Sequence, residues 1–198
     1  MKIAIHQPEH FPYEGFFKKM KEADIFVILD TVKFKKNNFQ NRNKILNSSG
    51  SEEWFGFPVS KKSNSIPINK VTACDESIQP WRKKLIKKIK QNLKFDVTRF
   101  YESDSLLSIN MAGIEWIKNE LKIATPIVLS SELNVGGVKS ELLLNICKEL
   151  SGTSYLSGIG GKEYLNQHIF SAAGVHVDFF KPEIKNYYSM LYNLSIGA

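Results

Sequence analysis

Two periods of apolar and polar positions alternate along the chain. Lys2 to Ile5 reads as a short strand, and after Pro12 the residues Phe16, Phe17, Met20 and Ala23 recur at helical spacing. Ile25 to Leu29 is wholly apolar and ends at Asp30. Strand, helix and strand within about 30 residues make a βαβ unit, whose crossover imposes parallel pairing. Further on, Trp54–Val59 and Ile66–Ala73 are rich in β-branched and aromatic residues around the polar Ser60 to Ser65, which predicts a hairpin. Trp81, Leu85, Ile86, Ile89 and Leu93 draw one apolar stripe on a helix over residues 81–94, and Leu107, Met111, Ile114, Ile117 and Leu121 draw another from about Leu106 to Leu121. The remainder alternates: Pro126–Leu129 strand, Ser140–Leu150 helix, Ser154–Leu156 strand, Lys162–Phe170 helix, Val175–Phe180 strand. The expectation is a single α/β domain over residues 1–198. It has a mainly parallel central sheet with flanking helices, and residues 54–73 are added as a β-hairpin insertion, at an edge or as a small lobe or flap.

Composition supports a folded chain, because 42% of the 198 residues are hydrophobic and 12% aromatic, enough apolar surface to offset ordering entropy. The longest run of aliphatic or aromatic residues, Ile25 to Leu29, is far short of the roughly 18 that a membrane span needs. The opening also lacks the apolar stretch of a signal peptide, so a cytoplasmic protein is expected. Cys74 and Cys147 stand far apart with no CxxC spacing, which predicts two buried thiols rather than a disulfide framework or a zinc site.

Charge is uneven. Of the net +7, residues 81–94 carry Arg82, Lys83, Lys84, Lys87, Lys88, Lys90 and Lys94 without an acid. Such a helix face either is merely solvated, the reading favoured here, or attracts phosphate-bearing partners: a nucleotide sugar, RNA or an anionic lipid headgroup. Residues 31–49 hold Lys33, Lys35, Lys36, Arg42 and Lys44 among asparagines, again without an acid, and read as a long polar loop after a strand. Phe34 and Phe39 interleave with those cations, a composition that can hold a base or a sugar ring.

Ligands of parallel α/β sheets bind outside the carboxyl ends of the strands, which directs attention to residues 6–12, 30–43, 130–137 and 157–162. His6 and Gln7 follow the first strand, where an imidazole can act as a base near neutrality or donate to a phosphate; a satisfied buried histidine is the equal alternative. His10 is the weaker candidate, and Pro8 and Pro12 break the helix that an H-x-x-x-H metal pair would need. Asp30 either orients His6 or caps the following loop. Asn41, Arg42 and Asn43 set a charged planar fork between two amides, suited to phosphate or carboxylate, or else form a surface turn. Ser157, Gly158, Gly160, Gly161 and Lys162 either let a backbone approach an anion or make a tight turn with positive φ.

Taken together, HQPEHFPYEGFFKK, the apolar strand ending in Asp30, VKFKKNNFQNRNKI and YLSGIGGKEYL resemble the WbqC-like protein family from residue 3 to about 180. The family's HQP-x-x-x-P segment falls on His6, Gln7, Pro8 and Pro12, its Asn-Arg-Asn element on Asn41, Arg42 and Asn43, and its Tyr-Leu-Ser-Gly element on Tyr155 to Gly158. A member would continue past Asn193, Leu194 and Ser195 into another apolar helix, whereas this sequence ends at Ala198. The opening is also similar, at the level of fold alone, to Rossmann-like HUP-type nucleotidyltransferases and pantothenate synthetases.

The resemblance implies bacterial O-antigen or other surface-polysaccharide synthesis, with acyl or amino-acyl (glycyl) transfer to a nucleotide-linked amino sugar. On that expectation His6 is the base, Asp30 orients it, and Gln7 and Arg42 are oxyanion donors. Lys33, Asn41, Asn43, Ser157, Gly158 and Lys162 bind the substrate. No metal or cofactor is expected beyond an activated acyl donor, for which a charged tRNA is one candidate. The competing expectation is a non-catalytic RNA- or partner-binding module built on the helix of residues 81–94 and the loop of residues 33–44.

Overall fold

The computed structural model describes residues 1–60, 63 and 65–197. In chain order the strands are β1 (Lys2–His6), β2 (Ile25–Ile28), β3 (Arg42–Leu46), β4 (Glu52–Gly56), β5 (Ile127–Leu129), β6 (Ser154–Gly158) and β7 (His176–Phe180). The helices are α1 (Glu14–Lys21), α2 (Arg82–Leu93), α3 (Leu106–Glu120), α4 (Ser140–Glu149), α5 (Gln167–Ala172) and α6 (Met190–Ser195). Contacts along the chain group into two units. The first comprises Met1–Gln7, Gly15–Leu29 and Ile123–Glu183; the second comprises Pro8–Glu14, Asp30–Lys122 and the chain from Ile184 on.

In the first unit, β1 is the central strand because both of its neighbours pair with it in parallel, and Ile3, Ala4 and Ile5 are buried in consequence. The sheet order is β5-β2-β1-β6-β7, with every pairing parallel. The protein is therefore an α/β fold with a five-stranded parallel sheet and flanking helices, as the alternating pattern predicts. Helix α1 is the crossover between β1 and β2 and buries Phe16, Phe17 and Met20, the stripe seen in the sequence. Cys147 is buried in α4, where loss of solvation pushes its thiol up to about 12, so it is a packing residue.

The second unit carries the hairpin, but not where the sequence placed it. Strand β3 pairs antiparallel with β4, with Asn43 opposite Phe55 and Lys44 opposite Trp54. Asn43, Ile45 and Phe55 are buried on one face, while Trp54 is exposed on the other. The period-2 signal over residues 42–46 is hidden because one of its inward positions is an asparagine. The stretch Ile66–Ala73, expected as the second strand, instead forms a short 3-10 turn over Ile68–Lys70 and isolated bridges, since Pro67 removes a ladder donor. Lys61, Lys62 and Asn64 of the expected connection lie outside the described residues.

Helix α2 buries Leu85, Ile89 and Leu93, which confirms its apolar stripe, and ends at Lys94 in the left-handed conformation. Its basic face is partly paired by acids from elsewhere in the unit: Arg82 meets Asp104 at 2.6 Å and Lys88 meets Glu53 at 2.7 Å. Helix α3 starts where the Ser105 hydroxyl accepts from Ser108 N, satisfying one of the orphan amides of its first turn. Cys74, expected to be buried, is only half-buried.

Candidate functional site

In the parallel sheet the chain leaves β1 toward β2 and β5 on one side, and later returns to place β6 and β7 on the other. The order reverses between β1 and β6, and the carboxyl ends of those two strands frame the crevice in which doubly wound sheets bind ligands. His6 ends β1, and Ser157 and Gly158 end β6. The first unit thus brings His6, Gln7, Ser157, Gly158 and the following Lys162 to one sheet edge.

His6 is half-buried. Its ring packs edge-on against Phe16 with centroids 4.9 Å apart, and its backbone carbonyl accepts from Leu29 N at 2.8 Å. Nδ1 lies 3.0 Å from the Gln7 carbonyl, which can only accept, so the neutral ring carries its proton on Nδ1 and Nε2 is the basic nitrogen. Loss of solvation, followed by the Lys19 charge, lowers the ring from 6.5 to about 4 against the opposing bond to Gln7, so His6 is neutral near pH 7.

Lys19 is the residue the sequence reading missed. It sits on the buried face of α1 and is only 5% exposed, with its ammonium donating to the Ile5 carbonyl at 2.8 Å. A lysine in register with Phe16, Met20 and Ala23 interrupts an apolar stripe, and that interruption was a legible signal. The charge of Lys19 reaches the His6 ring.

Residues 158–161 do not make the positive-φ turn that was one of two readings: Gly158, Gly160 and Gly161 all avoid the left-handed region. The chain instead forms a 3-10 turn over Ile159–Glu163, and α5 begins only at Gln167. Lys162 therefore does not sit in the first turn of that helix, as expected; it is exposed, with its ammonium 5.3 Å from the centre of the Phe179 ring. At 161 a Cβ would run into the buried Ser157 hydroxyl, which would have to turn away to admit it. At 158 and 160 a Cβ would meet nothing within 4 Å. Neither backbone strain nor packing accounts for glycine at those two positions.

The other expected site residues belong to the second unit. Asp30 is fully buried and its carbonyl accepts from Asn69 N at 3.0 Å. Lys33 is exposed and its backbone bridges to Pro67. Asn41 donates to the Phe57 carbonyl at 2.8 Å. Arg42 lies over the Trp54 indole, 4.3 Å from its centre, and donates to the Asn37 carbonyl at 2.7 Å. Asn43 is fully buried; its amide donates to the carbonyls of Phe11 at 2.8 Å and His10 at 3.2 Å, and its oxygen accepts from Lys44 N at 2.8 Å.

Those bonds hold a strained turn. Phe11 has φ 44°, a left-handed value that costs a non-glycine residue about 1–2 kcal/mol, and its carbonyl also accepts from the Ser189 hydroxyl at 2.7 Å. His10 is fully buried beside it, with Nε2 3.1 Å from the Tyr101 hydroxyl. Burial raises Tyr101 well above the usual phenol value, so the phenol stays protonated and donates to Nε2. Burial also lowers His10 from 6.5 to about 3 against the opposing effect of the Asn110 side chain, and Nδ1 has no hydrogen-bond partner among the described residues. The family-like motifs around His10 and Asn43 therefore meet as a scaffold for the connection between β1 and α1. That connection does not open directly into the helix: α1 starts at Glu14, an acidic residue, so its N-terminus offers little to an anion.

Comparison with known proteins agrees with the motifs. The chain is 26% identical over 192 residues to the "Uncharacterized protein Rv1507c" of Mycobacterium tuberculosis (strain ATCC 25618 / H37Rv), an alignment that covers 90% of this chain and 81% of the relative. No solved structure matches. The model of the WbqC-like protein family matches residues 7–194, nearly the whole sequence, and the chain belongs to that family.

Proposed function

We infer that this protein is a cytoplasmic transferase of surface-polysaccharide synthesis that moves an acyl or amino-acyl group to the amine of a nucleotide-linked amino sugar. Family membership supports the role in polysaccharide biosynthesis. The observation that carries the reaction is His6, a neutral imidazole with Nε2 as its basic nitrogen, at the point where the sheet order reverses.

In this chemistry the sugar nitrogen attacks the acyl carbon. A C–N bond forms, the donor's bond to its leaving group breaks, and the proton shed by the nitrogen passes to His6 Nε2 and on to the leaving group. The Gln7 amide donates to the oxyanion that develops on the acyl oxygen. The Ser157–Lys162 turn takes the diphosphate, with bare glycines at 158 and 160 and the Lys162 charge beside them. A base held near 4 is weak in the free protein. A bound diphosphate opposes the Lys19 field and lets the ring rise toward its ordinary value, so the substrate itself readies the base.

The test is mass-spectrometric detection of an N-acylated product from uridine diphosphate-linked amino sugars, with thioester and aminoacyl-tRNA donors supplied in parallel. His6→Ala should abolish product while the melting temperature stays close to wild type. Undiminished product from a folded His6→Ala variant would remove His6 from the reaction.

A further inference from the structure

A flat aromatic and cationic surface lies on the outer face of the β3–β4 hairpin, apart from the residues assigned to the transfer. Trp54 and Phe39 are 40% and 39% exposed, and their rings lie 5.9 Å apart with planes inclined by 32°. Large aromatic side chains left this open and this close to each other forgo burial that folding would otherwise favour. The indole is held in place: Arg42 covers it at 4.3 Å, the Lys44 ammonium lies 5.1 Å from its centre, and the Arg42 guanidinium is anchored on the Asn37 carbonyl. The guanidinium plane is itself a stacking surface.

The electrostatics around this pair are one-sided. Both acids of β4 near Trp54 are already neutralised, Glu52 by Lys44 at 2.9 Å and Glu53 by Lys88 at 2.7 Å. Lys33, Lys35 and Lys36, on the loop that leads to Phe39, are exposed and meet no carboxylate among the described residues. Helix α2 meets β4 from the other side, where Lys88 pairs with Glu53 at 2.7 Å and donates to the Trp54 carbonyl at 2.7 Å, so the cations of this surface are those of the loop. Two stacking rings beside a run of unpaired loop cations are the arrangement that recognises a single-stranded nucleic acid, because bases stack on aromatic faces while the phosphates follow the charge. An acidic peptide would use the cations and leave the rings idle; a single nucleotide would leave most of the cations idle.

We propose that the outer face of the β3–β4 hairpin binds single-stranded nucleic acid, with bases stacked on Trp54 and Phe39 and phosphates on the loop lysines Lys33, Lys35 and Lys36. The proposal is independent of the transferase reading.

Binding is read by fluorescence anisotropy of short labelled oligoadenylates, ribo and deoxy in separate arms, against the full-length protein. Trp54→Ala and Phe39→Ala should each weaken binding about tenfold, and Trp54→Phe should restore most of the loss. Lys35→Gln with Lys36→Gln should reduce the dependence of log affinity on log salt by about 0.7 for each phosphate contact removed. A preference for the ribo arm identifies RNA as the source, and equal binding identifies single strands in general; both support the surface. Absence of binding at low salt overturns the proposal. So does binding that Trp54→Ala and Phe39→Ala leave unchanged in variants that melt like wild type, or binding matched by polyglutamate. If Trp54→Ala fails to fold, Trp54→Phe and Phe39→Ala decide the question.

Discussion

Replacing Asn43 with alanine separates a scaffold from a substrate contact. The side chain is fully buried and makes three bonds: to the Phe11 carbonyl at 2.8 Å, to the His10 carbonyl at 3.2 Å, and from Lys44 N at 2.8 Å. Each is worth about 1 kcal/mol net, and more where a buried partner is left unsatisfied. Ser189 still reaches the Phe11 carbonyl in the variant, while the His10 carbonyl and Lys44 N lose the side chain that reaches them. With the space vacated by the side chain added, Asn43→Ala should cost about 3–4 kcal/mol. Asn43→Asp is the sharper variant. It keeps the acceptor for Lys44 N but presents an oxygen, charged when ionised, to two carbonyls, and should be at least as destabilising. Urea unfolding followed by tryptophan fluorescence gives both values. A loss below about 1 kcal/mol for Asn43→Ala, or a well-tolerated aspartate, would refute the scaffold role and favour the substrate contact instead.

Two predictions concern titration. His10 is held at about 3 in the folded protein against 6.5 when unfolded, so between those values the unfolded chain binds more protons. Its contribution to stability is therefore complete above about pH 6.5 and is lost at about 1.4 kcal/mol per pH unit as pH falls toward 3. Urea midpoints at pH 7 and pH 5 should show the decline, and a His10 ring resonance that titrates near 6.5 in the folded protein would contradict it. Lys19→Met should raise the His6 value from about 4, though only part of the way, because loss of solvation outweighs the Lys19 charge. An NMR titration in which His6 does not move would show that the charge does not reach the ring.

The parallel sheet was legible because its inner strands are buried on both faces: Ile25–Leu29 reads as a strand from apolar content alone, and the crossover rule supplies its direction. A hairpin with a strand near Trp54 was legible, but its partner β3 was not, because β3 owes its inward face partly to Asn43, whose burial depends on carbonyls more than thirty positions away in sequence. A polar residue satisfied by tertiary partners looks like a loop residue until those partners are in place. Lys19 was obscured for the opposite reason, since a charged residue within a helix is assigned to the solvent side unless its phase is checked against Phe16 and Met20. That His6, Gln7 and the Ser157–Lys162 turn lie at strand exits was legible because such exits are short and identifiable, whereas the burial and the Lys19 charge that make His6 neutral are three-dimensional facts.

The central claim is that the edge formed by His6 and the Ser157–Lys162 turn receives a nucleotide-linked amino sugar, and Gly158 and Gly160 test it most directly. A Cβ at either position meets nothing within 4 Å and neither position requires a positive φ, so Gly158→Val and Gly160→Val should fold, which their melting temperatures check. Each would project a branched side chain into the space assigned to the diphosphate. Calorimetric titration with uridine diphosphate-linked amino sugars should give binding to the parent protein and at least about tenfold weaker binding to either variant, a difference of about 1.4 kcal/mol. Wild-type affinity in both folded variants would mean that the ligand does not lie on this turn, and would contradict the account.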